Sequence, residues 1–88
     1  MIEIDFTTKP KEPTHSYIIN ELGDKYLYDQ KGLLHSYDDL PAVVLSNGSR
    51  CWYKHGVRYR NNDLPATITF DGTKVWYKDG FIVRIKSP

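Results

Sequence analysis

The side chains of this sequence that could act on a substrate or hold a metal ion are three histidines, one cysteine and a recurring set of aspartates and arginines. The spacings of His15, His35 and His55 do not place two of them on one strand face, and they form no His-rich motif. We therefore expect no metal ligand, no cofactor and no catalytic base among them. Cys51 lies in the β-forming run Arg50-Cys51-Trp52-Tyr53-Lys54, where a small buried hydrophobe is expected. A nucleophilic thiol needs a base at hand and an electropositive, partly open setting, and the sequence displays neither. Asp39 and Asp63 with Arg60 and Arg84 resemble acid-base pairs, yet each recurs at a fixed spacing, which suits bracing of a loop better than catalysis. No phosphate-cradling glycine motif is present.

The elements that must position these groups come from an internal repeat. Residues 39–60 written above residues 63–84 align without a gap over 22 positions, 10 of them identical, with a period of 24. The identities include Asp39/Asp63, Leu40/Leu64, Pro41/Pro65, Ala42/Ala66, Gly48/Gly72, Trp52/Trp76, Tyr53/Tyr77, Gly56/Gly80 and Arg60/Arg84. An upstream copy is degenerate, with Tyr28 at the Trp position and Gly32 at the second Gly. The chain divides accordingly into an N-terminal cap (1–20), a degenerate repeat (21–38) and two repeats (39–62 and 63–86) of one domain. Within the cap, residues 7–14 carry two prolines and two lysines and read as a loop.

Five of the six glycines fall at alternating spacings of 16 and 8, so each marks a turn. Lys31-Gly32, Asn47-Gly48, His55-Gly56, Asp71-Gly72 and Asp79-Gly80 read as two-residue hairpin loops, with short β-forming runs between them. The same reading takes Asn47-Gly48-Ser49 as a turn rather than a glycosylation site. No long segment has helical periodicity. The fold class is therefore all-β: an antiparallel meander of short hairpins. Counting outward from two-residue loops puts Trp52 opposite both Tyr59 and Val43, and Trp76 opposite Val83 and Thr67. The other face then carries Ala42, Val44, Cys51, Tyr53, Ala66, Ile68, Val75, Tyr77 and Ile82, and is the expected main core.

At Trp-Tyr-Lys-x-Gly-x-x-x-Arg and Asp-Leu-Pro-Ala, between Gly32 and Arg84, the chain resembles the MORN-variant repeats of small bacterial, phage and giant-virus proteins. It departs from the usual tyrosine-glycine pattern of true MORN repeats. The resemblance implies a stacked β-hairpin array that acts in protein interactions, and it carries over no catalytic residue.

Composition narrows the partner. Twelve basic and eleven acidic residues are interspersed, giving a net charge of +1, so no strong field draws in nucleic acid or an anionic membrane. Trp and Tyr flanked by Lys and Arg at 50–54 and 74–78 could stack single-stranded bases, which keeps nucleic acid as the second hypothesis, with an enzyme of unrecognised site as the third. One cysteine allows no internal disulfide, and the N-terminus has acidic residues where a signal peptide has basic ones. No apolar run approaches the ~18 residues of a membrane span. A cytoplasmic setting follows, in the host if the chain is phage-encoded.

The leading expectation is a non-enzymatic module that binds a larger protein, for instance as a phage or bacterial inhibitor of the anti-defence or host-takeover kind. Self-association is left open. Positions that differ between copies are free to specialise. Tyr37-Asp38 and Asn61-Asn62 occupy one repeat position, and Arg58-Tyr59 stands where the last copy has Ile82-Val83. Tyr37, Asp38, Arg58, Tyr59, Asn61 and Asn62 are thus the expected partner-facing patch, because Tyr and Arg are enriched at binding hot spots.

Overall fold

A computed structural model describes residues 16–88. Short β-favouring runs between turns leave little room for long strands, and those that form are β1 (Ile18–Ile19), β2 (Lys25–Tyr26), β3 (Val43–Val44), β4 (Arg50–Cys51), β5 (Tyr53–Lys54), β6 (Val57–Arg58), β7 (Thr67–Ile68), β8 (Lys74–Lys78) and β9 (Phe81–Lys86). All pairings are antiparallel. One sheet has the order β1-β2-β3-β4-β7-β8-β9, and β5 and β6 form a separate hairpin between β4 and β7 in sequence. The all-β meander is therefore observed, with one hairpin folded out of the main sheet.

Register explains the shape of the core. Ile18, Tyr26, Val43, Cys51, Thr67, Val75 and Ile85 are successive cross-strand partners and make one row across all seven strands. The neighbouring row is Ile19, Lys25, Val44, Arg50, Ile68, Lys74 and Lys86, richer in cations. Alternation along each strand puts the two rows on opposite faces. The first row contains Val43 and Val75, both buried; Leu27, Ala42, Trp52 and Ala66 complete the buried apolar set.

This core differs from the one that counting predicts. Trp52 faces Tyr59 as expected, since Tyr59 N–H donates to the Trp52 carbonyl (3.1 Å). Val43, however, is opposed by Cys51 rather than Trp52, and Thr67 by Val75 rather than Trp76. The cause is loop length. Leu45 N–H bonds to Ser49 O and Gly48 N–H to Leu45 O, which closes a three-residue loop, and Thr69 to Thr73 repeats it. One extra residue in a loop slips the register by one. Ala42, Ala66 and Val75 are buried as expected and Val43 and Trp52 join them, while Ile82, assigned to the core by counting, is 53% exposed. A register shift between Trp76 and Tyr77 places Trp76 against Arg84 instead of Val83.

Gln30-Lys31-Gly32 is also a three-residue loop, closed by Asp29 N–H to Leu33 O and Gly32 N–H to Asp29 O, not the two-residue loop expected there. A fourth, over Glu21-Leu22-Gly23, is closed by Asn20 N–H to Asp24 O and follows β1. Regular hairpin structure thus reaches back to Ile18, inside the expected cap; residues 1–15 of that cap lie outside the described residues.

The two genuine two-residue loops are His55-Gly56 and Asp79-Gly80, whose φ angles of 46° and 89°, and of 54° and 84°, are those of type I′ turns. Conformation, not space, favours glycine there: a β-carbon on Gly56 would lie 3.5 Å from the Leu33 side chain, and one on Gly80 would lie 3.7 Å from Val57, both ordinary contact distances. Each turn therefore rests on the aliphatic residue that follows the equivalent turn one repeat earlier, and this seats the repeats on one another.

Candidate functional site

The loops that precede the Pro-Ala steps are built alike. Leu40 N–H donates to Tyr37 O (2.9 Å) and Leu64 N–H to Asn61 O (3.3 Å), and both loops hold two consecutive residues at positive φ: Asp38 and Asp39, then Asn62 and Asp63. Asp and Asn tolerate that region better than other non-glycine residues. The two tryptophans fasten these loops. Trp52 Nε1–H donates to Asp39 O (2.8 Å), and Trp76 Nε1–H to Asp63 O (2.9 Å). Arg60 lies 3.7 Å from the Trp52 ring centroid, forks onto the Asp39 carboxylate (3.0 and 3.2 Å) and donates to Pro65 O (3.1 Å). Arg84 stacks on Trp76 in the same way at 4.2 Å. The aspartates and arginines that resembled acid-base pairs thus occupy bracing positions.

The expected partner-facing residues divide into two groups. Asp38, Tyr59, Asn61 and Asn62 are exposed. The Arg60-Asp39 bridge holds the 37–40 loop beside the chain leading to Asn61, and Asp39, Tyr59, Arg60 and Asn61 line one shallow groove with Trp52 and Lys54. Lys54 Nζ stands 5.3 Å from the Tyr59 ring centroid. Tyr37 is half-buried, its hydroxyl directed at Tyr28 O (3.4 Å) and its ring edge-on to His35.

Arg58 differs from the expectation of a partner-facing arginine, because its guanidinium turns inward. It sits between the rings of Tyr53 (4.8 Å) and Tyr77 (4.9 Å) and donates to both hydroxyls (2.9 Å each) and to Thr67 Oγ1. Tyr53 opposes Arg58 in the β5-β6 hairpin, while Tyr77 and Thr67 belong to β8 and β7, so this one side chain pins the hairpin to the main sheet.

A cluster that sequence spacing gave no reason to expect lies where the hairpin closed at 29–33 touches the β5-β6 hairpin. Asp29, His35 and His55 come from three separate stretches of chain, yet one ligand-capable atom from each lies within 4.8 Å of the other two. The Asp29 carboxylate is held by its own loop, with Oδ1 accepting from Lys31 N–H (2.8 Å) and Leu33 N–H (2.9 Å). Its Oδ2 meets His55 Nδ1 at 2.8 Å. The His55 hydrogen bond foremost, with the Leu33 and Lys31 amides, holds this carboxyl down at about 2. His55 N–H donates to His35 Nδ1 (2.9 Å), and the two imidazoles stack at 4.1 Å. Ser36 N–H to Tyr53 O (2.7 Å) and Gly56 N–H to Leu34 O (2.8 Å) fix the hairpins side by side and so bring the rings together.

His55 occupies the expected turn position and is 60% exposed at its side chain, whereas His35 is half-buried; His15 lies outside the described residues. Spacing along one strand does not reveal this cluster, which forms between separate stretches of chain. Cys51 is half-buried with Thr67 Oγ1 3.8 Å from its Sγ. Among the described residues no helix is long and apolar enough to cross a membrane. A scan against protein-family models, a search of curated proteins and a search of solved structures each return no match to this chain.

Proposed function

We propose that this chain is a non-enzymatic protein-binding module that takes an extended segment of a larger protein onto the outer edge of β9. The supporting observation is the character of that edge. Among the described residues β9 ends the sheet order, and Phe81, Ile82, Val83 and Ile85 along it are 75%, 53%, 61% and 61% exposed. Sheet edges of this length present unpaired backbone groups, and natural proteins usually blunt them. An added strand satisfies those groups and covers the apolar side chains.

Charge favours one kind of occupant. Residues 74–86 carry Lys74, Lys78, Arg84 and Lys86 against Asp79 alone, so the complementary strand is apolar with acidic residues. Asp38, Tyr59, Asn61 and Asn62, with the half-buried Tyr37, make the second contact of this reading, on the loop side. Arg58 contributes by holding Tyr53 and Tyr77 in place. The resemblance to MORN-variant repeats points the same way, toward a small phage or bacterial protein that modulates a larger one, acting in the cytoplasm.

The test is site-specific photo-crosslinking in a bacterial lysate, with the photoreactive residue at position 81 or 85 and, as control, at position 21. One protein adduct at both edge positions, absent at position 21 and unaffected by nuclease, supports the proposal. Adducts equal at all three positions, adducts abolished by nuclease, or adducts only to a second copy of this chain would overturn it.

A further inference from the structure

We propose that Asp29, His35 and His55 form a binding site for one divalent transition-metal ion of the zinc class. The donor set is right for such an ion: two imidazoles and a carboxylate, leaving a position open to solvent. The atoms already lie close together: Asp29 Oδ2 and His55 Nδ1 are joined by a 2.8 Å hydrogen bond. The carboxylate is oriented by the two amides on Oδ1, which leaves Oδ2 as the ligand atom.

Both rings must turn to bind the ion, because they are stacked and each Nδ1 is engaged in a hydrogen bond. His35 accepts the His55 amide at Nδ1, so that nitrogen carries the lone pair and Nε2 the proton. For His55, metal binding at Nδ1 requires its proton to move to Nε2, on a side chain that is 60% exposed. No redox step or covalent change is involved. The ion exchanges two hydrogen bonds, His55 Nδ1 to Asp29 Oδ2 and His55 N–H to His35 Nδ1, for three coordinate bonds. Because Asp29 and His35 flank the hairpin closed at 29–33 and His55 belongs to the β5-β6 hairpin, the bound ion would also staple these two hairpins.

The experiment uses the intact chain with Zn²⁺ alone, by competition against a chromophoric chelator, and Co²⁺ as a spectroscopic probe. The expected result is one ion per chain at pH 7.5, with intense visible Co²⁺ absorption and a raised melting temperature. Binding should weaken at least 10-fold between about pH 7 and 5, as imidazole protonates. His35→Ala, His55→Ala and Asp29→Asn should each weaken binding at least 10-fold, and His15→Ala should leave it unchanged. Asp29→Asn retains an acceptor for the Lys31 and Leu33 amides, and circular dichroism verifies that every variant is folded. No Zn²⁺ binding below 1 mM (about −4 kcal/mol) would overturn the site. Binding that survives in folded His35→Ala and His55→Ala, or that is lost in His15→Ala, would overturn it equally.

Discussion

Truncating Trp52 tests whether the recurring tryptophan holds the fold. Its side chain is 3% exposed, its indole N–H satisfies the Asp39 carbonyl in a positive-φ loop, and its ring carries Arg60 at 3.7 Å. Replacing a buried Trp by Ala costs about 3–5 kcal/mol. A chain of this size has a total stability of roughly 4–13 kcal/mol, so Trp52→Ala removes a large share and lowers the melting temperature by at least ~12 °C. Trp52→Phe keeps most of the apolar area but loses the indole hydrogen bond and weakens the Arg60 stack, for about 1–2 kcal/mol. In a double-mutant cycle, Trp52→Phe and Arg60→Ala should couple by about 0.5–1 kcal/mol, because Arg60 touches both the ring and the Asp39 carboxylate of the loop that the ring fastens. Urea denaturation followed by far-ultraviolet circular dichroism gives these values without relying on tryptophan emission. A Trp52→Ala protein that melts within 3 °C of the parent, or additive single effects, would refute the bracing role.

Other substitutions probe the remaining joints. Gly56→Ala and Gly32→Ala should each cost about 1–2 kcal/mol for a β-carbon at positive φ, and the two losses should be similar, because neither β-carbon would meet a clash; no loss of stability in thermal melts of either variant would contradict the positive-φ account. Arg58→Ala should destabilise by about 2 kcal/mol through the loss of charged hydrogen bonds, and Arg58→Lys should recover less than half, since an ammonium cannot fork between two ring hydroxyls. Asp29, with its carboxyl held at about 2 in the fold against 3.8 ordinarily, contributes stability that is fully present above pH ~4 and disappears as pH falls toward 2. A carboxyl-carbon NMR titration of Asp29 should therefore have its midpoint near 2, and Asp29→Asn should flatten the acid limb of the stability profile in that window. A midpoint near 4 would contradict the hydrogen-bond geometry at this residue.

Glycine spacing and the Trp-Tyr recurrence made the meander legible, because both follow from local chemistry that a sequence carries openly. Loop length was less legible. Asn47-Gly48 suits either a two-residue turn or the end of a three-residue one, and only the latter pairs Val43 with Cys51. That single residue sets the pairing, and Val43 and Trp52 are buried beside the expected Ala42, Ala66 and Val75. Arg58 looked like a contact residue because it differs from Ile82, yet Tyr53, Tyr77 and Thr67 supply three acceptors that converge only after the hairpin has folded onto the sheet. The Asp29-His35-His55 cluster had one available signal: aligned by the repeat, Asp29 stands at the position of Tyr53, and His55 at the turn position of Lys31. Those substitutions matter only once neighbouring hairpins touch, which spacing along a single strand does not reveal.

The proposal that β9 is the partner-binding edge is tested most directly by amide hydrogen-deuterium exchange on the complex with the cross-linked partner. Binding of an added strand should slow exchange at least 10-fold across residues 81–86, and leave the amides of β2 and β3 unchanged. Protection confined to the loops at 37–40 and 61–64, with β9 exchanging as it does in the free chain, would contradict it.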